Sequence, residues 1–156
     1  MASMAVSDQK ILEKCREIEL LCRDIYTCFA EIFADDPEAV TLWRKTAVEE
    51  QNHADQITLA LKLRKGLSCH VEIDCSQIDF RIIQMQGYLE TVKISPPTLK
   101  EALALAIKLE RKISSFHLDE MMVFEDESIK KLFRAMMASD RNHVESLEAA
   151  YKEFEG

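Results

Sequence analysis

The chain has 156 residues, of which 47% are hydrophobic and 31% charged. That is the length and balance of one globular domain over residues 1–156, and it argues against disorder or a second sizeable module. Only 3 Gly and 3 Pro are too few turn residues for a β-sandwich or barrel. A net charge of −8 disfavours a nucleic-acid partner, since phosphate contacts need clustered positive charge.

No run approaches 18 consecutive apolar residues, so no membrane span is expected. The opening stretch MASMAVSDQK lacks the basic patch and apolar run of a secretory signal. Five cysteines (Cys15, Cys22, Cys28, Cys69 and Cys75), odd in number and without CxxC spacing, fit reduced thiols and a cytoplasmic setting better than a disulfide framework.

In chain order, Ile11, Cys15, Ile18, Cys22, Ile25, Phe29 and Ile32 recur at steps of four and three, which predicts a long first helix with Ser7 or Asp8 as its N-cap. The break falls at Asp35-Asp36-Pro37, where Asp36 can cap and Pro37 suits the first turn of a second helix. That helix carries Trp43, Ala47, Ala54, Ile57 and Leu61 on its inner stripe and stops at Gly66. Residues 67–97 read as a crossover: Val71 and Ile73 alternate with polar residues, then Ile78 to Leu89 forms a short amphipathic helix weakened at Gly87. Thr98-Leu-Lys-Glu101 has the form of a capping box. It opens a third long helix with Leu99, Leu103, Ala106, Ile113, Met121 and Phe124 inward. After a turn at Glu125–Ser128, a fourth runs to about Phe154, with Ile129, Phe133, Met136, Leu147 and Phe154 inward. The expected fold is all-α: a four-helix bundle of two antiparallel hairpins joined by a long crossover with a short helix.

Each apolar stripe is interrupted by residues that resist burial. Glu19 sits between Cys15 and Cys22, whereas Glu17 shares a more exposed flank with Glu13 and Asp24. Glu50 and His53 are three apart and so share a face, as do Asp140 and His143, and Glu110 lies between Ala106 and Ile113. Four carboxylates and two imidazoles thus point to one core, with no Lys or Arg on these stripes. Burying such charges unpaired costs several kcal/mol of lost hydration per ion, roughly. Two divalent cations would neutralise them, with neutral imidazoles completing the coordination. With 28 acids in 156 positions, four histidines give about 0.7 acid-x-x-His matches by chance, so position on the stripes carries the weight. The halves also correspond: Glu19 to Glu110 spans 91 residues, and Glu50 to Asp140 and His53 to His143 each span 90. Phe33 and Phe124 repeat at the same offset as Glu19 and Glu110.

This pattern resembles the ferritin-like diiron-carboxylate proteins, nearest to the rubrerythrin and bacterioferritin branch. Their Glu, Glu-x-x-His, Glu, Glu-x-x-His series stands here as Glu19, Glu50-Gln-Asn-His53, Glu110 and Asp140-Arg-Asn-His143. Tyr26, seven residues after Glu19, is similar to the tyrosine of the first rubrerythrin helix. The resemblance covers roughly residues 10–65 and 98–154. It implies two irons (manganese and zinc accept the same donors) held by Glu19, Glu50, His53, Glu110, Asp140 and His143. It also implies reaction of ferrous iron with peroxide or dioxygen, which would need an electron donor that the sequence does not name.

Four departures stand out. There is no CxxC…CxxC pair, hence no rubredoxin-like module in this chain; the extra helix-3 glutamate of rubrerythrins is Ile113; the haem methionine of bacterioferritin is Gln51; and Asp140 is one methylene short of glutamate. These bear on peroxidase turnover and haem binding and leave the metal ligands in place.

Tyr26 and His117 are candidates for groups supporting the ligands, Tyr26 otherwise being a core aromatic and His117 either a ligand or a hydrogen-bonded core histidine. Cys15 and Cys22 read as small hydrophobes, and Cys69, His70 and Cys75 lack a fourth donor for zinc. The Met121-Met122 and Met136-Met137 pairs read as core and flank filling. The expected function is a dinuclear iron oxidase or peroxidase acting as a homodimer. The alternatives are an iron storage or transport shell subunit and a metal-free helical interaction module.

Overall fold

A computed structural model describes residues 2–63, 76–121 and 126–154, with side chains placed over 9–62, 76–117 and 126–154. The described residues contain five helices and no strand: α1 (Ala2–Ile32), α2 (Pro37–Leu63), α3 (Ser76–Ile94), α4 (Leu99–Met121) and α5 (Glu127–Lys152). The all-α class expected of a ferritin-like chain is what they form. The chain divides into two compact units, Met1–Pro96 and Pro97–Gly156.

In the first unit α1 packs against both α2 and α3. Arg16 Nη1 donates to Thr58 Oγ1 at 3.2 Å, and Arg23, seven residues on, reaches Gln51, seven residues back. That register is antiparallel. Asp36 caps α2 through its side chain, accepting from the Ala39 N–H at 3.1 Å, and Pro37 takes the first helical position, where its missing N–H costs nothing. The predicted α1 stripe from Ile11 to Phe29 is buried. Leu12, Tyr26 and Ala30 are buried beside it, because a helix covered on two sides needs a wider apolar surface than one stripe.

Three expectations change. α1 begins at Ala2, so Ser7 and Asp8 lie inside the helix and neither is its N-cap; Ala2, Met4 and Ala5 offer the backbone nothing that stops a helix. The crossover helix is longer than its apolar pattern, running over 19 residues and straight through Gly87. It is not amphipathic either. Ile78, Ile82, Met85 and Val92 are buried, while Phe80, Ile83 and Ile94 are exposed on the other side. Burying such side chains contributes about 1.5–3 kcal/mol each, which outweighs about 1 kcal/mol for a mid-helix glycine. Phe154, placed inward by its spacing, follows the end of α5 at Lys152 and is 47% exposed.

In the second unit α4 and α5 form the other hairpin. The capping box closes as predicted, with the Thr98 N–H donating to Glu101 Oε1 and the Glu101 N–H to Thr98 Oγ1, both at 3.2 Å. Asp126 caps α5 by accepting from the Ser128 and Ile129 N–H groups. Arg111 bridges to Glu148 on the facing helix. Leu103, Ala106 and Ile113 of α4 and Ile129, Phe133, Met136 and Leu147 of α5 are buried. Gly66, Val71, Ile73, Met122, Phe124 and the side chain of Met121 lie outside the described residues.

Candidate metal centre

In the first unit, Glu19 comes from the middle of α1 and Glu50 and His53 from one face of α2. All three are buried, the two glutamates completely. His53 Nδ1 lies 3.4 Å from Glu19 Oε2 and 3.6 Å from Glu50 Oε2. Each of the three offers an atom within 4.8 Å of those of the others. Two ligands on opposite sides of one ion stand about 4.2 Å apart at usual bond lengths, so the spread suits a single ion.

The second unit repeats the arrangement. Glu110 comes from α4, and Asp140 and His143 from α5, again buried and again with one atom each within 4.8 Å of the others'. His143 Nδ1 lies 3.3 Å from Glu110 Oε2. In each hairpin, then, the histidine of the acid-x-x-His helix turns its Nδ1 toward the glutamate of the other helix.

The charges explain what such trios suit. Each holds two carboxylates, and no Lys or Arg is buried among the described residues. One divalent cation per trio balances them, and hard carboxylate oxygens with imidazole nitrogen form a donor set for iron, manganese or zinc. Without metal a proton takes part of that role. Burial opposes the His53 imidazolium, but the adjoining carboxylates of Glu19 and Glu50 outweigh it and hold the pKa up at about 10.

All six predicted ligands are therefore buried in two trios, and Glu17 is exposed as expected. The two supporting candidates separate. Tyr26 stacks on Trp43 at 5.7 Å, with Phe29 4.8 Å from the same indole. His117 places Nδ1 2.7 Å from Asp140 Oδ2, a pairing 23 residues apart that no local pattern announces. Its sequence signal is its place 91 residues after Tyr26, the same offset that separates Glu110 from Glu19. Cys15, Cys22 and Cys28 form no disulfide among the described residues, and the first two are buried. Cys69, His70 and Cys75 lie outside the described residues. No described helix is long and apolar enough to cross a membrane.

A comparison with curated proteins gives no match. The family model described as Rubrerythrin matches residues 10–151, a span that contains all six ligand candidates and most of both hairpins, and the chain belongs to the rubrerythrin family.

Proposed function

We propose that this protein is a dinuclear non-haem iron protein, with Glu19, Glu50 and His53 holding one ion and Glu110, Asp140 and His143 the other. It oxidises Fe(II) or reduces peroxide or dioxygen, with electrons supplied by an external donor. The observation that supports this is the burial of two carboxylates and an imidazole in each hairpin with no buried Lys or Arg among the described residues. Carboxylates so placed are tolerable when a cation neutralises them. Iron bound there supplies one-electron redox chemistry at neutral pH. The chain's own part is to hold opposite charge at fixed spacing, present neutral imidazole nitrogen, and keep bulk water from the donors.

The test is anaerobic titration with Fe(II), followed by exposure to peroxide or dioxygen. Uptake of about two ions per chain, with near-ultraviolet absorption appearing on oxidation, is the expected result for this donor set. Binding below one ion, unchanged in a Glu50→Ala/His143→Ala double variant, would overturn it in favour of a metal-free helical module. A storage shell would instead elute as a very large assembly holding far more iron than its ligands account for.

A further inference from the structure

We propose that His117 is a positioning residue for Asp140. Its Nδ1–H donates to Asp140 Oδ2 and turns Oδ1 toward the place where a metal ion is held. This rests on the metal-binding reading above and goes beyond it, since it assigns a role to a residue outside the ligand set.

The contact is short, at 2.7 Å, and both side chains are out of solvent, at 1% and 0% exposure. Although it touches Asp140, His117 is not among the residues whose donor atoms cluster with those of Glu110 and His143. It therefore stands behind the carboxylate. Phe133 and Phe116 flank the imidazole, their ring centres 5.7 and 6.2 Å away. Apolar walls of this kind keep water from replacing the donor.

The two units differ at the positions that matter here. In the first, position 50 is a full-length glutamate, and the counterpart of His117 is a tyrosine, Tyr26, whose ring stacks on Trp43. In the second, position 140 is aspartate. Its carboxylate is held closer to its own helix and has less freedom to swing onto an ion. A partner that holds one oxygen makes the other available in a single orientation. Such outer partners set ligand orientation and tune metal affinity.

The experiment is calorimetric titration of the metal-free protein with Mn(II) and Co(II), together with the visible absorption of the Co(II) form. His117→Phe should weaken binding about 10- to 100-fold, the usual cost of losing an outer partner of a metal ligand, and should alter the Co(II) spectrum. His117→Asn, whose amide nitrogen falls where Nδ1 stands, should restore most of the affinity. His117→Gln, whose amide falls nearer the Nε2 position, should not. In an Asp140→Asn background, His117→Phe should add nothing, since its effect runs through Asp140.

Wild-type affinity in His117→Phe, equal losses in the Asn and Gln variants, or an undiminished effect in the Asp140→Asn background would each overturn the assignment. Should His117→Phe fail to fold, the Asn and Gln pair decides. If the wild-type protein takes up no metal, the proposed function fails and this inference with it. If the wild type binds and the variants match it, this inference alone fails.

Discussion

In the metal-free protein His53 is held near pKa 10 by Glu19 and Glu50, against an ordinary value of 6.5. The folded chain binds that proton more tightly than the unfolded chain does. Its stabilisation is therefore complete below about pH 6.5 and is lost as pH rises through about 10. Chemical denaturation of metal-free protein should show stability falling over that window, and His53→Gln should flatten the fall. Metal must displace the same proton. Uptake between pH 7 and 9 should release about one proton from this trio, and affinity should rise with pH. Calorimetry in buffers of different ionisation heat measures the release directly. At this scale much was legible beforehand. Glu19, Glu50, Glu110 and Asp140 stand out because a charged residue on an apolar stripe is a pattern within one helix. The bond from His117 to Asp140 joins two helices, and no spacing rule foretells which imidazole meets which carboxylate.

Helix boundaries divide in the same way. The caps at Asp36 and Thr98 are local chemistry, each side chain reaching an N–H three residues ahead, so they could be read directly, whereas at Asp126, which caps α5 in the same way, the sequence pattern marks only a turn. Thr98→Ala should destabilise the protein by about 1 kcal/mol, the ordinary cost of a lost N-cap, seen as a lower thermal midpoint with helix content unchanged. The extent of α3 could not be read this way, because burial against α1 carries it through Gly87. A Cβ at Gly87 meets nothing within 4 Å. Gly87→Ala should therefore stabilise the protein by about 0.5–1 kcal/mol, through a less flexible unfolded chain and a better helix former. A destabilised variant would mean that something approaches the outer face of α3, where Phe80, Ile83 and Ile94 are exposed.

For the molecule as a whole, metal and folding are linked. The trios require α1 to meet α2 and α4 to meet α5, so ions bind the folded chain and add stability. At a free metal concentration a hundred times Kd the gain is about 2.7 kcal/mol per site. Thermal unfolding with Mn(II) or anaerobic Fe(II) should shift upward accordingly and return to the metal-free value with a chelator. Glu19→Ala/Glu110→Ala should abolish the shift, and a shift that survives it would mean binding elsewhere. By itself the sequence determined the helical class, the hairpin pairs, the caps at Asp36 and Thr98 and the six polar interruptions, because these follow from periodicity and from contacts within a turn or two of one helix. Only the tertiary structure decided that α1 is covered on two sides, that α3 continues past its own apolar pattern, that Tyr26 joins an aromatic cluster, and that His117 holds Asp140. Each of those depends on which distant surface arrives, and burial against that surface outweighs local preference.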